Sequence, residues 1–496
     1  MQAEARTADL VRAVAQQLSR STHLREGKFG GKNFSSLGTG TQGGTVLVKP
    51  QICWRRVLMI AGVALISFAA QKSARADQIP TGWQASNMKP VGYSDLDGRG
   101  GGFKMAIRHV NGRWYLYMAH LWNHGWSILD VTDPANPKVA KFIPGPDNTW
   151  TIQMELHDNL MLTALQKSSA EWGNDPSKPN DEGLLIWDIS DPLNPKQLSH
   201  WKTGSTGVHR VGYPGGRYAN LAGNMPGYRG QILVFLDISD PKNPKEAGRW
   251  WLPGQKEGET PAGPVGGFHG PAIIDGDKAY LGYGPSVVTL DISDIAHPKM
   301  LGRLDFVPPF KGGITLHDVA LIPGKDLLFA HSEGSGGDTP SQPPTCSGPI
   351  DLVGMVSIKD KDLMKPRLIS IFPTPAPPPG APFTSFCDKG GRFGPHNTNL
   401  EYHLPDVEKQ ADLIYLTYFN AGLRIFNISE PRLPKEVGWF IPPTPTKRIG
   451  PLPAKLVNQT EDVLVDTRGN IYITDKQWGL FILRYTGPGE PRPTAK

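Results

Sequence analysis

The sequence predicts an all-β chain, a seven-bladed β-propeller of four-stranded blades whose last blade is completed by an N-terminal strand. Three observations predict it. A strand-and-turn phrase recurs seven times at a spacing of about 50–70 residues, the length of a four-stranded blade with loop insertions. Gly 57 and Pro 47 in 496 residues call for many turns and few long helices. A segment near Met88 reads as an outer strand with no blade of its own. With 39% hydrophobic and 20% charged residues the chain can build a core, which argues against global disorder.

The phrase is clear at Ser127-Ile128-Leu129-Asp130-Val131-Thr132-Asp133-Pro134, running on to Asn136-Pro137-Lys138. It returns around Asp188-Ile189-Ser190-Asp191-Pro192 and Asp237-Ile238-Ser239-Asp240-Pro241. Asp291-Ile292-Ser293-Asp294 is a fourth copy, Met355 to Asp360 a degenerate fifth, and Asn427-Ile428-Ser429-Glu430-Pro431 a sixth. Gly479 to Leu483 keeps only the strand. Apolar residues form that strand; Asp and Ser then bond nearby backbone and Pro cannot donate to a ladder, so it stops. Asn-Pro-Lys opens the outer strand. The seventh copy lacks one after Arg484, and Met88-Lys89-Pro90-Val91-Gly92-Tyr93 looks like Pro434-Lys435-Glu436-Val437-Gly438-Trp439. The N-terminal segment is therefore expected to complete the last blade and close the ring, leaving no exposed inner edge.

The phrase resembles that of the LVIVD-repeat family of exported bacterial and archaeal propellers, over about residues 84–485. The resemblance implies a propeller fold and an exported or cell-surface location. It implies nothing about a reaction, because that family is defined by its repeat.

Residues 1–76 hold 11 basic and 3 acidic side chains, which leaves 41 basic and 43 acidic in the remainder. The formal +6 therefore belongs to the leader, and nucleic-acid binding has no basic surface to rest on. Within the leader, Arg55-Arg56 precede an apolar run from Val57 to Ala70, followed by Ser73-Ala74-Arg75-Ala76. That order reads as a secretory signal peptide cut before Asp77, too short to span a bilayer. The expected organisation is a leader extension over 1–50, a signal peptide over 51–76, a linker over 77–83, the propeller over 84–488 and a tail over 489–496. The destination is the periplasm or the exterior, with no transmembrane span in the mature chain. Cys346 and Cys387 are then the only cysteines left. In an oxidising compartment they are expected to pair, closing a loop of about 40 residues worth ~4 kcal/mol in the loop-entropy model, with two free thiols as the alternative.

A histidine recurs upstream of the phrase, where the innermost strand of each blade is expected to begin: His157, His209, His269, His317 and His396. The first blade has Lys104 there and the seventh Glu461-Asp462. Innermost strands line the axis, so these groups are expected to converge as metal ligands. Imidazoles and carboxylates suit a divalent transition metal: iron, copper, manganese or zinc. Second strands are expected to end at the same face, with His120, Gln166, Asn224, Tyr283, His331, Asn420 and Lys476. His331-Ser332-Glu333 and the stretch around His120 are its richest clusters, so Glu461, His331 and His120 are candidate acid–base groups. Arg210 and Arg217 are candidates for an anionic substrate. The pattern points to a metal-dependent enzyme acting on a small molecule, with oxygenase, lyase and hydrolase chemistry all open. The alternatives are a repeat in which histidine only bonds neighbouring backbone, or a non-catalytic propeller binding a ligand or a protein at the channel mouth.

Overall fold

The computed structural model describes residues 77–261, 266–306, 316–334, 351–359 and 364–489. The signal peptide, its cleavage site and Cys346 lie outside the described residues. The described chain is built of antiparallel β-sheets, most of them four-stranded, an all-β architecture consistent with a β-propeller. Gly102–Val110, Arg113–His120, Gly125–Asp130 and Lys138–Pro144 form the first sheet, each strand beside its sequence neighbour. The same order repeats from Trp150–His157 to Lys196–Trp201, from Gly207–Gly212 to Lys245–Trp250, from Ile273–Asp275 to Lys299–Asp305 and from Leu316–Leu321 to Arg367–Ile371.

The last two sheets take strands from the N-terminal side. Met88–Ser94 pairs with Gly479–Tyr485, outside Ile471–Asp475 and Thr460–Val465. Gln84–Ser86 adds to Lys435–Ile441, a pairing the sequence reading did not anticipate. In that sheet the inner strand shrinks to one bridge, Thr398 to Leu416, flanked by backbone bonds from His396 N to Thr417 O and from Thr417 N to Asn397 O.

The first four phrases fold as a double Asx turn. Asp130, Asp188, Asp237 and Asp291 accept from the backbone N–H two residues on, at 2.8–3.0 Å. Asp133, Asp191, Asp240 and Asp294 repeat the bond at 3.0–3.1 Å. The outer strand next to each phrase strand carries a register shift against it, and in four sheets a small residue beside that shift meets the next phrase. Ser199 Oγ donates to Pro241 O at 2.7 Å and Ser370 Oγ to Pro431 O at 2.6 Å. At Gly248 and Gly92 there is no room even for Cβ, which would fall 1.9 Å from Ile295 O and 2.0 Å from Pro134 O.

Apolar side chains fill the space between consecutive sheets. Leu162, Leu184 and Ile186 meet Val208, Leu221 and Val234, for example, all buried. Burying each such side chain contributes roughly 1.5–3 kcal/mol against leaving it exposed. The last sheet also meets the first: Leu464, Tyr472 and Leu480 share a core with Met105, Leu116 and Ile128. Arg468 donates to Val131 O and Thr132 O of the first phrase, both at 3.1 Å, and lies 4.0 Å over the Trp114 ring.

Candidate functional site

The inner strands share a local irregularity. Gly207–Gly212 pairs with Tyr218–Asn224 until the register slips by one residue at His209. Leu316–Leu321 slips at His317, and the first, second and last sheets slip at the same place. A bulge releases one side chain from the alternation of the strand and re-aims it. Here the bulge falls at His209 and His317, while His269 and His396 precede the short inner strand and the single bridge of their sheets.

His209, His269, His317 and His396 form a contiguous group. His209 and His269 face each other with Nε2 atoms 3.1 Å apart. His317 lies 4.3 Å from His269 and 4.8 Å from His396, ring centre to ring centre. Glu333 reaches in from the second strand of the fifth sheet, its carboxylate 3.7 Å from His269 Nε2 and 3.9 Å from both His317 Nε2 and His396 Nε2. Two donors of a tetrahedral metal are separated by roughly 3.4 Å; His269, His317 and Glu333 offer donor atoms all within 4.8 Å of one another, a metal-sized gap with His209 and His396 on either side.

The outer nitrogens are held as well. His209 Nδ1 lies 2.7 Å from Gln166 Oε1, His317 Nδ1 2.9 Å from Asp318 Oδ2, and His396 Nδ1 2.7 Å from Glu461 O. An oxygen acceptor at Nδ1 places the proton there and leaves the Nε2 lone pair for the centre, the arrangement that orients metal-ligating histidines. Burial, with Arg210 beside the group, pushes His269 down to about 3 and His209, His317 and His396 well below the ordinary range. The imidazoles are therefore neutral, the form that coordinates.

Charged groups frame the cluster. Buried Arg210 donates to Asp318 at 3.2 Å, to Asn397 Oδ1 at 3.0 Å and to His317 Nε2 at 2.7 Å. Arg392 pairs with Glu333 at 2.7 Å. Glu461 lies 3.2 Å from His396 Nδ1 and 3.4 Å from Lys476 Nζ. His331 adjoins this group, stacked on His317 at 5.7 Å with Nδ1 bound to Ser332 O.

Two candidates lie elsewhere. His157 is the last residue of its strand, paired with Leu160 across the hairpin, and contacts Tyr213 and His403. The sequence reading placed it at the strand's start because it precedes the phrase as the other histidines do. Trp150-Thr151-Ile152 hold the equivalent place. His120 ends its strand as expected, but turns into its own sheet to bond Ser127 Oγ at 2.8 Å. Lys104 is likewise buried, paired with Glu401 and with Asp462 at 3.8 Å. Arg217 makes a surface pair with Asp237. Glu333 was visible only as the neighbour of His331.

The family model described as LVIVD repeat matches residues 228–250, which span the phrase and outer strand of the third sheet. Among solved structures, a functionally unknown protein from Desulfotomaculum acetoxidans DSM 771 is 12% identical with a TM-score of 0.43, over 68% of this chain and 84% of that one. A protein from Lactobacillus plantarum is 11% identical with a TM-score of 0.44, over 78% of this chain and 96% of that one. No curated protein matches. The chain thus carries the LVIVD repeat that its recurring phrase resembles.

Proposed function

We propose that this chain is an exported seven-bladed propeller, closed by the contacts of its last sheet with its first, and that it is a metal-dependent enzyme acting on a small molecule. The proposed ligands are His209, His269, His317 and His396 with Glu333, around iron, copper, manganese or zinc. One observation carries the reading: three outer ring nitrogens each face an oxygen acceptor while the inner nitrogens converge. When bound, such a metal supplies Lewis acidity, an activated water or redox chemistry. Glu461, between His396 and Lys476, and His331, stacked on His317, are the proposed acid–base groups. Export rests on the leader, and the Cys346–Cys387 disulfide is proposed with it.

Metal analysis of purified full-length chain tests this. About one transition metal per chain is expected, lost in a His269→Ala/His396→Ala variant that still unfolds cooperatively, at a lower temperature than the metal-loaded parent. A folded chain with no metal after incubation with each of the four ions would overturn it. A second reading, a non-catalytic ligand-binding propeller, is favoured by one contact: Arg210 already donates to His317 Nε2. That reading expects the metal-free result.

A further inference from the structure

The inner strands have a second end. Four residues beyond His317, about 13 Å along an extended strand, lies Leu321. With Tyr213, Pro214, Ile274, Leu400 and their neighbours it encloses a cavity of about 290 Å³. The volume is near the small end of ligand pockets, and apolar walls with few polar groups are their usual make-up. Glu155, Tyr402, His403 and Lys409 are the chief polar groups of this one.

Most of the charged groups there are paired. Glu155 lies 3.3 Å from His403 Nε2, and that contact raises the imidazole's pKa against the effect of burial. Behind them Lys104 takes Glu401 and Asp462. Lys409 is exposed at the rim and has no ion-pair partner among the described residues. An apolar hollow thus has at its mouth one exposed cation that no carboxylate among the described residues pairs.

We propose that this pocket binds a small apolar molecule carrying one carboxylate, its body among Ile274, Leu321 and Leu400 and its charge at Lys409. The site is independent of the histidine centre at the other end of the strands. The test is calorimetric titration of the full chain with three probes of one shape: 2-naphthoate, 2-naphthylmethanol and 2-naphthylmethylamine. Saturable binding is expected, with the carboxylate tightest. Lys409→Gln should weaken naphthoate about threefold, as for an exposed ion pair, and leave the alcohol unchanged. Ile274→Trp, at a half-buried wall position, should abolish binding of all three while thermal unfolding shows the chain still folded. Chelator treatment should change none of these values. No saturable binding up to about 10 mM would overturn the proposal. So would an alcohol that binds as well as the acid, or an amine that binds best.

Discussion

The outer and inner strands of these sheets follow different rules. On the outside, the Asx turn, the register shift and the small residue recur in most sheets, and four outer strands rest on the next phrase. On the inside, strand length runs from nine residues at Gly102–Val110 to three at Ile273–Asp275 and one bridge at Thr398. The outer frame is made of short-range bonds whose geometry depends on residue type alone, so it repeats. The inner strands are anchored by that frame and are released to vary, and the buried polar groups gather there. Arg210, Asp318, His317 and Asn397 come from three sheets and bond one another with almost no solvent contact.

The largest expected effect comes from breaking that inner network. Arg210→Met leaves the Asp318 carboxylate buried without its cation. Losing one partner of a buried pair costs about 3–5 kcal/mol. Urea unfolding should show this loss, and Arg210→Met/Asp318→Asn should recover part of it, because the uncompensated charge is gone. A single variant within about 1 kcal/mol of the parent would mean that water reaches Asp318 and that the inner region is no tighter than the outer.

On the outer side, Gly248→Ala is expected to cost about 1–3 kcal/mol, since the added methyl falls 1.9 Å from Ile295 O and the strand must move off the next phrase. The equivalent change at Ser199, where a side chain is already accommodated, should cost about 1 kcal/mol, the weight of one hydrogen bond. Equal losses at the two positions would show that the outer strands do not rest on the phrases as closely as these distances require.

This division also explains what the sequence made legible. Asp-Ile-Ser-Asp-Pro acts through its nearest backbone neighbours, so the phrase located its strands and turns, and the pairing of Met88–Ser94 with Gly479–Tyr485, without other information. His209, His269, His317 and His396 were found because each precedes its phrase. His157 shows the limit: it precedes its phrase too, but lies at the other end of its strand. Glu333 and Arg210 enter through contacts between sheets, and no local pattern carries those.

At neutral pH the least visible effect concerns His120, which ends the second strand where the inner strand begins. Burial, reinforced by Arg99, pushes its imidazole down to about 3. Its ring is enclosed by Ser127 at 2.8 Å and the edge of Phe142 at 5.5 Å between centres. Below about pH 6.5 the unfolded chain takes up a proton at this position that the folded chain refuses. The stability tied to this histidine is therefore complete above the unfolded value and is lost as pH falls toward the folded one, by about 1.4 kcal/mol per pH unit. Other groups titrate in the same window, so the measurement is a difference: urea unfolding of the parent and of His120→Gln between about pH 7 and pH 4. The parent should lose stability more steeply than the variant, starting near pH 6.5. Parallel curves would mean that the native chain protonates His120 as readily as the unfolded chain does. The second-strand ends would then be open to water rather than sealed with the inner strands.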